Sequence, residues 1–445
     1  MIILKFGGTS VSSEQSVKAI AQIVKREKAN KPVVVVSALS GITNLLVSLV
    51  RLDSMTAKKE IITKIKTQHL GLINKLFNKT EAKIVMDYVD NTLNKLAKAC
   101  RKLPKDYTMS QWQDSIVAYG ETLSSFLIAN YLSAQKISTK QVIATKCIVT
   151  DKNFGNANFI KSATRKKVKA TILSLIKQNI VPVITGFIGQ TTDGYITTLG
   201  RGGSDYSAAI IGYALNSKEI QIWTDVDGVY SADPRLIKQP KLLNNLSYQE
   251  AAELAMFGAK VLHPRTILPA IIANIPVKVL NTFNIDSPGT TITKISRSSG
   301  IVKAITAKQM VPLINIYSVD MFLSRGFLKK IFNGFAKYNI SVDLVSASEV
   351  SVSVTLDNTE NLPAAIKYLN KFTKITQLED HGSVSLIGEA IMRSPHLMSK
   401  VFGLFEEHDI PVHMVSYSAA NINVGLVMPS KHINKALKLL HKNFI

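Results

Sequence analysis

The chain has 445 residues, 46% of them hydrophobic, with 23 glycines, 14 prolines and a formal charge of +23, which is ordinary for a globular α/β protein of two or three domains apart from the charge. Its two cysteines, Cys100 and Cys147, make no metal-ligand or redox spacing, Lys5 interrupts the N-terminal apolar run, and no run of about 18 apolar residues follows, so a soluble, cytoplasmic protein without a cleavable signal is expected. The lysines are scattered, without a long basic run or interleaved aromatics, which argues against nucleic acid and membrane partners and leaves small anions as the ligands such a charge would attract.

The first predicted element is a strand, Ile2–Phe6, that carries Lys5 and empties into Gly7-Gly8-Thr9-Ser10. Two glycines bare the backbone to an oxyanion, the hydroxyls add donors, and Ser12-Ser13-Glu14 reads as a capped helix start. Phosphate binding is one reading of this corner, and an ordinary strand-turn-helix connection is the other. Further strands are expected at Pro32–Ser37, Gln141–Thr145, Val181–Gly186, Glu219–Thr224 and Pro276–Leu280, separated by helical stretches, with residues 44–135 mainly helical. Such alternation predicts a mostly parallel sheet covered by helices, with ligands outside the carboxyl ends of the strands.

Pro288-Gly289-Thr290-Thr291 and Ser296-Arg297-Ser298-Ser299-Gly300 suggest a linker. Beyond it the chain repeats: Ile331-Phe332, Phe335, Ile340, Val342, Val345-Ser346, Ser348 and Val354 match Val401-Phe402, Phe405, Ile410, Val412, Val415-Ser416, Ser418 and Val424 at a constant offset. Each copy reads strand, helix, strand, strand, helix, with Val350–Val354 the clearest strand. Phe327, Phe332 and Phe335 are expected in a helical core. The second copy ends on a helix, Asn434–Lys442, and lacks a closing strand, for which Ile301–Thr306 is the available donor. The expected division is therefore 1–290, then 312–380 inserted into a module made of 300–311 plus 381–445.

Chemistry concentrates in three later segments. Thr197-Thr198-Leu199-Gly200-Arg201-Gly202-Gly203-Ser204-Asp205 joins flexible glycines to a guanidinium suited to a carboxylate and an acid at a helix start. Trp223-Thr224-Asp225-Val226-Asp227-Gly228-Val229-Tyr230, running on to Arg235, closes a strand with acids, an aromatic and an arginine. Phe257-Gly258-Ala259-Lys260-Val261-Leu262-His263-Pro264 adds an isolated lysine, with His263 read as a packing or capping residue.

Together with Lys5–Val11, Ser40-Gly41-Ile42-Thr43-Asn44 and Tyr119-Gly120-Glu121, these segments resemble the monofunctional aspartokinases of the amino acid kinase family along the whole chain. The repeats resemble paired ACT domains, which are α+β ferredoxin-like, and no further domain is expected after them. The resemblance implies ATP-dependent phosphorylation of the side-chain carboxylate of L-aspartate, the first step toward lysine, threonine and methionine, with Mg²⁺ riding on the phosphates. It implies Lys5, Asp205 and Lys260 as catalytic residues; Thr43, Glu121, Arg201, Gly202, Gly203 and Ser204 around the amino acid; and Lys5, Gly7, Gly8, Ser10, Thr224, Asp225, Tyr230, Arg235 and Lys260 around ATP. The carboxylate nucleophile is already ionised, so Asp205 is expected to orient Lys5 rather than to take a proton.

For feedback control the resemblance points to Met321, Ser324, Gly326, Phe327, Leu328, Ser341, Val342, Asp343 and Ser348, with lysine as effector and a homodimer across the ACT modules. Two departures from the family are Tyr119 and Leu323, where many members carry histidine. The rival readings are another amino acid kinase, such as one acting on glutamate, and a catalytically silent sensor of amino acids.

Overall fold

The computed structural model describes residues 1–256, 262, 264–296, 300–322, 324–417 and 422–445. The chain divides into two units. The first holds Met1–Val229, Asn244–Tyr248 and Val261–Arg297, and the second holds Tyr230–Leu243, Gln249–Lys260 and Ser298–Ile445.

The first unit is built on an eight-stranded sheet of β1 (Ile2–Phe6), β2 (Pro32–Val36), β3 (Thr139–Val142), β5 (Val181–Thr185), β8 (Glu219–Thr224), β9 (Asn245–Ser247), β10 (Val277–Asn281) and β11 (Thr290–Thr293), in the order β3-β5-β2-β1-β8-β10-β11-β9. All neighbours are parallel except β10 and β11. β1 and β2 are buried along their whole length, as a parallel strand covered on both faces must be. A small sheet of β4 (Val149–Thr150), β6 (Ile188–Thr191) and β7 (Ile196–Thr198) stands beside it.

Helices fill residues 42–134 with few breaks, and their apolar faces join β1, β2 and β5 in one core. The helix Glu14–Arg26 starts where the sequence places it, because Ser13 caps it and forms a capping box with Ser16. The linker reading fails at its first half. Thr290–Thr293 is β11, antiparallel to β10, so the sheet continues past residue 290. Gln141–Thr145 likewise turns out to be the end of an earlier strand followed by a 3₁₀ turn, Ala144–Lys146.

In the second unit, one sheet contains β13 (Leu313–Tyr317), β14 (Val342–Ala347), β15 (Ser351–Leu356) and β16 (Lys374–Leu378), ordered β14-β15-β13-β16. The other contains β12 (Ala304–Lys308), β17 (His381–Ile387), β18 (Met414–Tyr417) and β19 (Asn423–Pro429), ordered β12-β17-β19-β18. β12 lies antiparallel to β17 in the edge place that β16 takes beside β13. Matched positions of the repeat share their environment: Ile331, Phe335, Ile340 and Val354 sit in one core, and Val401, Phe405, Ile410 and Val424 in the other. Phe327 is also buried, whereas Phe332 is only half-buried.

Residues 230–243 and 249–256 pack with this second unit. Leu236 and Ile237 rest on the core of the β12–β19 module, and Lys303 pairs with fully buried Glu250 at 2.7 Å. Among the described residues no helix is long and apolar enough to cross a membrane.

Candidate active site

The carboxyl ends of β1 and β2 open into a recess of about 470 Å³ in the first unit. Lys5, Gly8, Thr43, Glu121, Gly200, Arg201, Gly202, Gly203, Ser204 and Asp205 line it, with the Ser37–Gly41 loop and Phe187. Parallel register puts Lys5 level with Val35 and Ile222 in the middle of the sheet, so its side chain is nearly buried before it reaches the opening. There Lys5 Nζ meets Asp205 Oδ1 at 2.6 Å. Asp205 stands in the first turn of the helix Gly203–Leu215, which follows the left-handed Gly202 (φ +67°). The pair is mostly shielded, which fixes the ammonium where β1 ends.

Glu121 enters from the helix Tyr119–Ala134. Its Oε1 accepts from the Ala38 amide at 3.2 Å, and its Oε2 has no partner among the described residues. Burial of the carboxyl pushes its pKa up to about 8, against the backbone hydrogen bonds that pull it down. The helix is seated on the loop after β2 by a second bond, from Ser124 Oγ to the Ser37 carbonyl at 2.7 Å. Gly120 permits this approach, since a Cβ there would lie 2.9 Å from that of Ala38. Tyr119, the departure from the family pattern, packs beside the core half-buried. Arg201 is exposed and makes no ion pair among the described residues. Among the described residues the recess therefore presents one unpaired carboxyl group, one unpaired guanidinium and one lysine held by an acid.

Several other expected ligands already have partners within the chain. Ser10 is fully buried, with its hydroxyl 2.8 Å from Thr282 Oγ1 and 3.3 Å from the Trp223 carbonyl, so it is engaged within the first unit. The Gly7 amide likewise donates to Trp223 O at 3.2 Å. Both corrections have one cause, the tight seating of the turn after β1 on the end of β8. Thr224 and Asp225 stand at that strand end, with Thr224 Oγ1 bonded to Asp225 Oδ1 at 3.1 Å. Tyr230 and Arg235 belong to the second unit, and the Arg235 fork is occupied by Asp233 at 2.5 Å. Lys260 and His263 lie outside the described residues.

The expected effector residues are also spread. Met321 packs on the core of the β13–β16 module, and Phe327 is buried against Phe372 with ring centroids 6.0 Å apart. Gly326 (φ +80°) opens the helix Phe327–Lys337, while Ser324 and Leu328 are exposed. Asp343 is not free for an ammonium ligand, because Lys308 holds it at 2.7 Å, and Ser348 Oγ is 2.8 Å from Ser351 Oγ in the turn between β14 and β15. Ser341, just before β14 and beside half-buried Val342, donates its amide to Asp357 Oδ1 at 3.2 Å and accepts from the Asp357 amide at 3.2 Å. Leu323 lies outside the described residues.

Sequence reasoning missed Asp114, a fully buried acid on the helix Met109–Val117 that holds the Thr198 and Gly155 amides. The available signal was proximity in sequence, since Asp114 lies seven residues before Glu121, on the preceding helix.

Comparison with known proteins agrees with this arrangement. The amino acid kinase family model matches residues 1–281, and an ACT domain model matches residues 384–444. Aspartokinase 3, chloroplastic, of Arabidopsis thaliana is 34% identical over 99% of this chain and 81% of its own. Lysine-sensitive aspartokinase 3 of Escherichia coli is 32% identical, covering 100% of this chain and 99% of its own. Solved structures of E. coli aspartokinase III superpose on the whole chain at 31% identity, with a TM-score of 0.85 for the T-state complex with lysine and aspartate and 0.86 for the R-state complex with aspartate and ADP. A kinase-type sheet with its recess at the strand ends, followed by two ACT-like sheets and matched along its full length by aspartokinases, identifies the chain as a member of the amino acid kinase family, in its aspartokinase branch.

Proposed function

We propose that the protein transfers the γ-phosphoryl group of ATP to the side-chain carboxylate of L-aspartate, giving ADP and 4-phospho-L-aspartate. The observation that carries this reading is the convergence of Lys5, Glu121 and Arg201 on one recess. A buried carboxylate with an open oxygen asks for a cation, and the α-ammonium of an amino acid is the group that fits. Arg201 is suited to clamp the α-carboxylate with two parallel bonds. The side-chain carboxylate would then face Lys5, whose charge offsets that of the phosphoryl group in flight, while Asp205 holds the ammonium in place. No general base is needed, and catalysis rests on positioning two anions and neutralising the charge between them.

For the nucleotide, the engaged Gly7 amide and Ser10 hydroxyl leave Lys5 and Gly8 as the recess contacts for phosphate, with Thr224 and Asp225 at the neighbouring strand end. Among the described residues no group of three or more His, Cys, Asp or Glu side chains is arranged to hold a metal, so Mg²⁺ would arrive on the phosphates, where it would screen their charge. The place of β12 beside β17 supports a first ACT module inserted into the second.

ADP release measured over a panel of amino acids tests the reading: aspartate should drive turnover and glutamate should not. Equal or faster turnover with glutamate would transfer the assignment to another amino acid kinase, and no turnover with any would favour a silent sensor. Feedback by lysine through a homodimer of ACT modules is the regulatory reading, supported by the lysine complex of the E. coli relative. Titration with lysine, threonine and methionine checks it, and indifference to lysine would refute it.

A further inference from the structure

Asp114 is 1% exposed, and each of its oxygens is used. Oδ2 accepts from the Thr198 amide at 2.8 Å and the Gly155 amide at 2.9 Å, and Oδ1 accepts from Thr198 Oγ1 at 2.7 Å. Burial raises its pKa while these three bonds lower it, and no cation among the described residues pairs with it. A buried charge of this kind is costly and persists only where its donors hold it.

What it joins is specific. Thr198 ends β7, three residues before Arg201, and Asp114 precedes Glu121 by seven residues in the same helical lobe. The second loop it holds is pinned from the far side. Arg265 donates to the Asn156 carbonyl at 3.0 Å, the Ala157 carbonyl at 3.2 Å and Asn158 Oδ1 at 3.0 Å, and the Ala157 amide donates to the Thr198 carbonyl at 3.0 Å. Gly200 (φ +78°) bends against that loop, where a Cβ would collide with Asn156 Oδ1. One carboxylate thus ties the helices that carry Glu121 to the loop that carries Arg201.

We propose that Asp114 is a positioning residue that fixes Arg201 relative to Glu121 and thereby sets both affinity for the amino acid and selectivity for its length. The inference rests on the reading of those two residues as the amino acid clamp. A loosened clamp binds aspartate poorly and discriminates less against a longer diacid, yet leaves the nucleotide untouched.

The test compares wild type with Asp114→Ala, Asp114→Asn and Thr198→Val in full-length protein, by ADP release with separate KM values for aspartate and ATP. Asp114→Ala should raise the aspartate KM about tenfold or more and narrow the aspartate-over-glutamate ratio of kcat/KM about fivefold, with the ATP KM within about twofold. Asp114→Asn should stay near wild type, because its carbonyl replaces Oδ2 and its amide can donate to Thr198 Oγ1. Thr198→Val removes one bond only and should give a rise of about threefold, which serves if the alanine variant does not fold. Folded variants with unchanged aspartate KM and selectivity, or with losses confined to kcat, would overturn the inference alone. Absence of aspartate-dependent turnover in wild type would overturn the functional reading as well.

Discussion

Glu121 in the first unit and Glu250 in the second are both buried, and they differ in what faces them. Lys303 Nζ lies 2.7 Å from one oxygen of Glu250 and 2.8 Å from the other, and the Glu389 amide adds a third contact at 3.1 Å. Among the described residues Glu121 has the Ala38 amide as donor to one oxygen and no partner at the other. Burial alone does not separate them. A carboxylate whose partner is supplied by the chain pins a fold, whereas one left incomplete at the edge of a recess is completed by a ligand.

The largest test of that contrast removes the built-in partner. Lys303→Met should destabilise the second unit by about 3–5 kcal/mol in denaturant unfolding, because buried Glu250 would lose the Lys303 ammonium that touches both its oxygens, while Lys303→Met with Glu250→Leu should recover most of the loss. Next comes the recess itself: Lys5→Ala should lower kcat about 100-fold or more, equivalent to about 3 kcal/mol of transition-state stabilisation. A folded variant within a few-fold of wild type would remove Lys5 from the mechanism. Glu121→Gln should raise the aspartate KM about 10- to 100-fold, the worth of a bond to a charged group of about 1.5–3 kcal/mol, without weakening the unliganded fold. A clear drop in stability would make Glu121 a pin like Glu250.

A further effect is a pH dependence whose sign follows from burial. The carboxyl of Glu121 moves from the ordinary 4.5 to about 8 in the folded chain, so folding favours its protonated form. Its contribution to stability is complete below 4.5 and is lost as pH rises through about 8. The difference in melting temperature between wild type and Glu121→Gln, followed over that window, should drift against wild type as pH rises and shrink when aspartate is added.

Much of the frame was legible because it is local. β1 and β8 have the bounds their apolar patterns predict, and Ser13 caps the helix that follows β1. The repeat showed two modules because Phe335 and Phe405 must each fill a core. What was hidden depends on partners far along the chain. Ser10 looks like a phosphate donor until β8 and Thr282 close over it, 272 residues away for the latter. Asp343 looks free until Lys308, 35 residues earlier in the chain, pairs with it. Asp114 looks like an ordinary helix acid, and only the fold brings Thr198, 84 residues on, to its carboxylate. Single-residue chemistry was readable, then, but which groups were already satisfied was not.

The most direct test of the open carboxylate is the proton it must give up. Calorimetric titration of wild type with aspartate at pH 7, in buffers of different ionisation enthalpy, should show nearly one proton released per aspartate bound, since Glu121 is mostly protonated in the free protein and must ionise to meet the α-ammonium. Release should fall toward zero well above pH 8 and vanish in Glu121→Gln. Tight aspartate binding at pH 7 with no proton released, or with the same release in Glu121→Gln, would contradict the account.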